Sequence, residues 1–192
     1  MRLEIIILVS YLSGSIPFGF LLTKIFLKKD IRDIGSGNIG ATNALRTGNK
    51  IVGYSTLFLD VIKAVIPVLF VKIYYIEYLY IASLCVFIGH VFPIWLKFKG
   101  GKGVSTYVGI LSCINIYLGV SFGIVWILTI LIFKYSSLSS LLAALSIPII
   151  NFFIFSDDII YFFIIMFVLI FYTHRENIKR LLNRSESKTK IY

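Results

Sequence analysis

The chain has 192 residues, of which 58% are hydrophobic and 15% charged, and its mean hydropathy is +0.92. A soluble globular domain is only about half apolar, so that class is excluded. The net charge of +10 is spread between long apolar runs, which fits the positive-inside pattern of a membrane protein and not a nucleic-acid-binding face. The two cysteines, Cys85 and Cys113, stand alone in apolar segments and imply packing, with no disulfide framework and no metal spacing.

Apolar runs recur along the whole length, so the expected architecture is one polytopic, all-α membrane domain over residues 1–192. The N-terminus mimics a signal peptide: an Arg, an apolar core, then Ser13-Gly14-Ser15. Apolar character resumes at Ile16 and lasts to Lys24, so a first transmembrane helix kinked at Pro17 is the better reading. Lys and Arg cluster at 24–50, 97–102, 134 and 175–190. If all four face the cytoplasm, an even number of crossings separates each neighbouring pair. Residues 51–96 then hold two crossings, turning outside near Lys72-Ile73-Tyr74-Tyr75-Ile76-Glu77, and 135–174 hold two more, split at Ser156-Asp157-Asp158.

Residues 104–133 carry no charge. As one helix they would run about 45 Å at ~1.5 Å per residue, too long for a core of about 30 Å. Two shorter helices folded back near Cys113-Ile114-Asn115 fit better, each too short to span fully and at least one broken or of half depth. The expectation is seven transmembrane segments, including short or broken helices, with the N-terminus outside and the C-terminus cytoplasmic. This threading puts every glycine-rich stretch and both histidines, His90 and His174, on the cytoplasmic side.

The stretch Gly35-Ser36-Gly37-Asn38-Ile39-Gly40-Ala41-Thr42-Asn43 spells G-x-G-x-x-G. No strand precedes it and no βαβ unit surrounds it, so a dinucleotide fold is not supported. It follows the charged run 28–33, which makes it a loop, whereas small residues packing two helices would lie in a helix interior. What remains is a candidate anion site, with glycines that admit left-handed conformations, Ser36, Asn38, Thr42 and Asn43 as neutral hydrogen-bonding groups, and Arg46 as a bidentate fork. A second stretch, Lys97-Phe98-Lys99-Gly100-Gly101-Lys102-Gly103-Val104-Ser105-Thr106, resembles a Walker A loop but lacks its first glycine, and Lys102 is followed by Gly103. It reads either as a basic loop on anionic lipid heads or as another glycine-lined anion site.

Three further features stand out. His174 and Asn177 lie three apart, on one helical face, and His90 precedes the second glycine loop. Asp60 and Lys63, also three apart, are charges inside an apolar segment, and a local pair is the default reading. Ser137 and Ser140, in Tyr135-Ser136-Ser137-Leu138-Ser139-Ser140, cap a helix or help line a site.

Read together, SGSIPFG (13–19), GSGNIGATN (35–43), LDVIK (59–63), GHVFPIWLKFKGGKGVST (89–106), YSSLSS (135–140) and HRENIKRLL (174–182) closely resemble the bacterial acyl-phosphate-dependent glycerol-3-phosphate acyltransferases, nearly end to end. The family pattern differs slightly, with an arginine at the place of Lys134 and a glycine at that of Arg184. The resemblance implies acyl transfer from acyl phosphate to the 1-hydroxyl of glycerol 3-phosphate, giving lysophosphatidate and phosphate at the cytoplasmic face of the bacterial inner membrane. Its implied partners are glycerol 3-phosphate, long-chain acyl phosphate and membrane lipids, with no nucleic acid, cofactor or metal. The H-x-x-x-x-D pattern of other glycerolipid acyltransferases is missing: Trp95 stands five after His90, and Lys179 five after His174. The expected roles are phosphate binding by Ser36, Gly37, Asn38, Gly40, Thr42 and Asn43 with Gly100, Gly101, Lys102 and Gly103. Arg46, Ser137 or Ser140, His174 and Asn177 would orient glycerol phosphate, and His174, His90 or a substrate phosphate oxygen would take the hydroxyl proton. A transporter for a phosphorylated solute is the rival reading, but polar motifs confined to one face argue against it.

Overall fold

The computed structural model describes residues 2–155 and 159–189. Among them all regular structure is helical, as α1 (Leu3–Ser15), α2 (Phe18–Leu27), α3 (Ala41–Leu45), α4 (Lys50–Tyr74), α5 (Leu79–Val91), α6 (Val104–Ile114), α7 (Ile116–Phe133), α8 (Ser136–Ile150), α9 (Ile160–Thr173) and α10 (Arg175–Leu182). Four helical stretches, Leu3–Leu27, Ile76–Leu96, Ile116–Phe133 and Ser136–Phe155, are long and apolar enough to cross a membrane.

The breaks have local causes. Pro17 lacks an N–H and disfavours helical geometry at the residue before it, and Ile16 is accordingly extended at φ −63°, ψ 115°. The kink expected there is a full interruption between α1 and α2. Asn115, at φ −150° and ψ 117°, ends α6 and caps α7 through its side chain, which accepts from Tyr117 N at 2.9 Å. The uncharged run therefore does divide near Cys113-Ile114-Asn115, but unequally. Helix α6 has 11 residues and is short as expected, whereas α7 has 18 and is long enough to span. The turn expected at 72–77 falls where α4 ends and Tyr75 leaves helical geometry, at φ −151° and ψ 54°. The split expected at Ser156-Asp157-Asp158 lies outside the described residues.

The chain packs as two compact units, Met1–Ile114 and Asn115–Tyr192. In the first, α1 and α5 touch backbone to backbone. A Cβ on Gly14 would strike the Val86 carbonyl, and one on Gly89 would strike that of Tyr11, so glycine permits the close approach of the two helices. Towards one end of α4, Ile6, Val71 and Ala82 form an apolar cluster with Tyr75 and Tyr78. Towards its other end, Ile31, Ile39, Ala44, Val52 and Leu96 form a second, packed by Phe20, Leu22 and Leu27. This second cluster is the floor on which the first glycine loop rests, since Ile31 and Ala44 bracket it and Ile39 lies within it. In the second unit α8 lies between α7 and α9, burying Phe122, Ala143, Ala144, Ile147, Phe163 and Met166. The short α10 packs on α8 and α9.

Candidate active site

The first glycine loop is organised from inside by one buried side chain. Asn43 Nδ2 donates to the carbonyls of Ile31, Ile34 and Asn38 at 3.1, 2.9 and 2.8 Å, and its Oδ1 accepts from Ser36 N at 3.0 Å. Asn38 Oδ1 accepts from Gly40 N at 2.9 Å, and Gly37 N donates to Ile34 O. Gly35 and Gly37 sit at φ +54° and +70°, the left-handed region that favours glycine. The N–H groups of Ser36, Gly37 and Gly40 thus close the loop on itself, and Asn43 is its latch. Ser36 and Gly37 are exposed, Thr42 stands in the first turn of α3, and the exposed Arg46 runs across Gly35. Before the loop, Asp30 and Arg32 form a bidentate pair, with Oδ2 to Nη2 at 2.6 Å. The hydrogen bonds from Arg32 hold the partly exposed Asp30 carboxyl down at about 2.

The second loop is fastened differently. Gly100 N donates to Val91 O at 3.0 Å and Gly101 N to His90 O at 3.1 Å, so the loop lies back on the end of α5. Gly101 faces the imidazole itself, since a Cβ there would overlap His90 Nε2. Gly103, at φ +85°, accepts from Tyr107 N at 2.8 Å and opens α6, whose first N–H groups lie at the end of the helix dipole that favours anions. Lys102, partly exposed, immediately precedes that turn. Beneath the loop, His90 is 3% exposed, and its Nδ1 faces Asp60 Oδ1 at 3.8 Å. Asp60 also pairs with Lys63 Nζ at 2.7 Å, both buried, as the i, i+3 spacing anticipates.

The second unit gathers Ser137 and Asn177 on a residue that sequence reasoning did not single out. Glu186 Oε1 accepts from Ser137 Oγ at 2.8 Å and Asn177 Nδ2 at 2.7 Å, while Oε2 accepts from Arg180 Nε at 2.6 Å. Partial burial by itself would raise the pKa of Glu186, but these three donors outweigh it and hold the carboxyl below its ordinary value. The available signal was compositional: beyond Glu176, Glu186 is the sole acid in a basic tail. Ser140 is not part of this group; its Oγ donates to Ser136 O and accepts from Trp126 Nε1 at 3.1 Å. His174, 2% exposed, stands between α9 and α10 with Nδ1 at 2.8 Å from Ile170 O. A carbonyl accepts only, so that contact places the proton on Nδ1 and the lone pair on Nε2.

The first unit thus holds both glycine loops, each ending in a helix N-terminus with a cationic side chain close by in sequence, and the second holds a hydroxyl–amide–imidazole set. The profile of the family described as glycerol-3-phosphate acyltransferase matches residues 4–184. A glycerol-3-phosphate acyltransferase of Pelagibacter ubique is 69% identical over the full length of both chains. That of Mesorhizobium japonicum is 47% identical, over 93% of this chain and 91% of its own. The crystal structure of PlsY (YgiH), an integral membrane glycerol 3-phosphate acyltransferase, superposes in its glycerol 3-phosphate form with a TM-score of 0.92, at 36% identity over 97% of this chain and 95% of that one. Its lysophosphatidic acid form superposes with a TM-score of 0.87, over 96% and 94%. The chain belongs to the PlsY family of integral membrane glycerol-3-phosphate acyltransferases.

Proposed function

We propose that this acyltransferase takes its acyl group from a long-chain acyl phosphate and attaches it to the 1-hydroxyl of sn-glycerol 3-phosphate. The products are 1-acylglycerol 3-phosphate and inorganic phosphate, and acyl-CoA is not a donor. The observation that carries the reading is the 36% identical relative, whose glycerol 3-phosphate and lysophosphatidic acid forms correspond to acceptor and product of one acylation. The glycine loops support it chemically, because both proposed substrates bear phosphate.

An acyl phosphate is a mixed anhydride whose leaving group departs as an anion. The hydroxyl oxygen attacks the acyl carbon, the C–O bond to phosphate breaks, and the hydroxyl proton ends on the released phosphate. No covalent protein nucleophile is needed, so Cys85 and the serines carry no acyl group. The protein's task is to position two anions and offset their repulsion. Lys102, the N-terminus of α6 and the loop from Ser36 to Thr42 bind phosphate, and Arg46, Ser137 and Asn177 orient glycerol phosphate. His174 Nε2 relays the hydroxyl proton, a role worth about 10²–10⁴ in rate. We read the chain as one membrane-embedded enzyme of seven segments in the bacterial inner membrane. Its N-terminus lies outside, and its polar loops face the cytoplasm, where the acyl donor arrives through the lipid.

The test supplies purified protein with glycerol 3-phosphate and either palmitoyl phosphate or palmitoyl-CoA, measuring lysophosphatidate and phosphate together. Equal amounts of both from the acyl phosphate, and nothing from the CoA ester, is the expected result. Product from palmitoyl-CoA overturns the donor assignment. Near-full turnover in His174→Ala removes the histidine from proton transfer.

A further inference from the structure

We infer that Asp60 and Lys63 are positioning residues of the acyltransferase reaction, setting the second glycine loop through His90; the inference rests on that loop being a phosphate site. An ion pair buried at membrane depth is a poor source of stability, because desolvating two charges offsets most of their attraction. Its geometry points to another role. The 2.7 Å pair between Asp60 and Lys63 is tied at both ends. Lys63 Nζ donates to Ile16 O at 2.7 Å, at the break before Pro17, where the same carbonyl also accepts from Phe18 N at 3.1 Å. On the other side Asp60 Oδ1 faces His90 Nδ1, which makes no hydrogen bond among the described residues and looks at the carboxylate across 3.8 Å.

The opposite edge of the same imidazole lies against Gly101, so the ring is held between Asp60 and the loop. The backbone repeats the connection: the carbonyls of His90 and Val91 accept the N–H groups of Gly101 and Gly100. Thr106, in the first turn of α6, places Oγ1 at 3.5 Å from the Asp60 carbonyl. The Asp60 region therefore meets the loop on both sides of Lys102, at Gly101 through His90 and at Thr106 directly. With 3% of His90 exposed, its ring fills the space against Gly101, and Lys102 and the start of α6 follow directly in the chain. Asp60 orients the ring by attracting Nδ1–H, and Lys63 neutralises the carboxylate so that no net negative charge lies beneath an anion site.

The experiment compares kinetics and thermal stability of full-length protein in detergent, using palmitoyl phosphate and glycerol 3-phosphate. The charge-neutral double variant Asp60→Asn/Lys63→Met is expected to raise KM for one phosphate substrate at least fivefold and lower kcat/KM at least tenfold. Lys72→Met is the matched control for losing a lysine of α4. Lys72 Nζ donates to Cys113 O at 2.6 Å, and it lies about 13 Å further along the helix at ~1.5 Å per residue. It is expected to lower Tm while leaving both KM values within twofold. Unchanged KM and kcat in a folded double variant, or the same kinetic loss in Lys72→Met, overturns the inference. If the double variant does not purify, Lys63→Arg replaces it, keeping the charge while changing its geometry; a several-fold rise in KM is expected, and an unchanged KM overturns the idea. Lys102→Ala separates the two levels: full activity there removes the phosphate assignment of the loop itself, whatever the Asp60 variants do.

Discussion

The side-chain amide of Asn177 donates to the Glu186 carboxylate at 2.7 Å, across nine residues that turn the chain back at the end of α10. The same carboxylate oxygen accepts from Ser137, on a different helix. One acid thus sets the direction of two neutral groups assigned here to glycerol phosphate. Glu186→Ala takes the carboxylate acceptor away from three donors, and a hydrogen bond to a charged group is worth about 1.5–3 kcal/mol; with partial access to water we expect about 2 kcal/mol in total. Activity should fall at least tenfold, with KM for glycerol 3-phosphate rising. Glu186→Gln keeps an acceptor for Ser137 and Asn177, and should recover most of the KM but not all of the stability. Equal kinetics in wild type and Glu186→Ala would remove Glu186 from this role.

Glu186 also gives stability a pH dependence. Its carboxyl titrates below the ordinary value in the folded chain, so the unfolded chain binds the proton more tightly. Its contribution is complete above the ordinary glutamate range, about 4.3, and is lost as pH falls through the lowered native value. Asp30, held at about 2 by Arg32, has the same sign but lies partly exposed at the surface and contributes less. Thermal melts from pH 7 down to about 3 should show Tm declining at the acid end, and Glu186→Gln should flatten that decline. A variant melting curve parallel to the wild type at every pH contradicts the assignment.

Arg184 holds φ +55°, a left-handed conformation one residue past the C-cap of α10, Asn183, where the N–H groups of Ser185 and Glu186 turn back to the Arg180 carbonyl. A non-glycine residue there costs roughly 1–2 kcal/mol. Part of that is offset because glycine loses more entropy on folding. Arg184→Gly should therefore stabilise the protein by about 0.5 kcal/mol, read as a small rise in Tm, with activity retained. A fall in Tm would show that the arginine side chain contributes more than its backbone strain costs.

Two glycines make a contrasting pair. Gly101→Ala places a methyl on His90 Nε2, which forces the second loop off α5; overpacking of this kind costs about 1–3 kcal/mol. At least a tenfold loss of kcat/KM is expected. Gly123, inside α7, has open space around its missing Cβ and an ordinary helical backbone. Gly123→Ala should leave turnover unchanged and add up to about 1 kcal/mol of helix stability. Similar activity in the two variants would mean that the loop tolerates displacement from His90.

The sequence by itself determined the class, the helical breaks at Pro17 and near Asn115, and the loops, because those signals are local. Hydropathy requires no partner, Pro17 interrupts a helix through its own ring, and Asn115 caps α7 from two residues away. The i, i+3 pairing of Asp60 with Lys63 was likewise readable from spacing. Only the tertiary structure decided what the polar groups face. Asn43 reads as one more hydrogen-bonding group in a glycine motif, yet folding turns it inward as a latch on three carbonyls. Ser137 and Ser140 are equivalent in sequence, but a helix rotates residues three apart by roughly 300°. Packing then sends one to Glu186 and the other to Trp126. Glu186 lies 49 residues from Ser137, and His90 lies 30 from Asp60 on a different helix. No periodicity or capping rule spans such separations, so which carboxylate meets which donor is settled by how the helices pack.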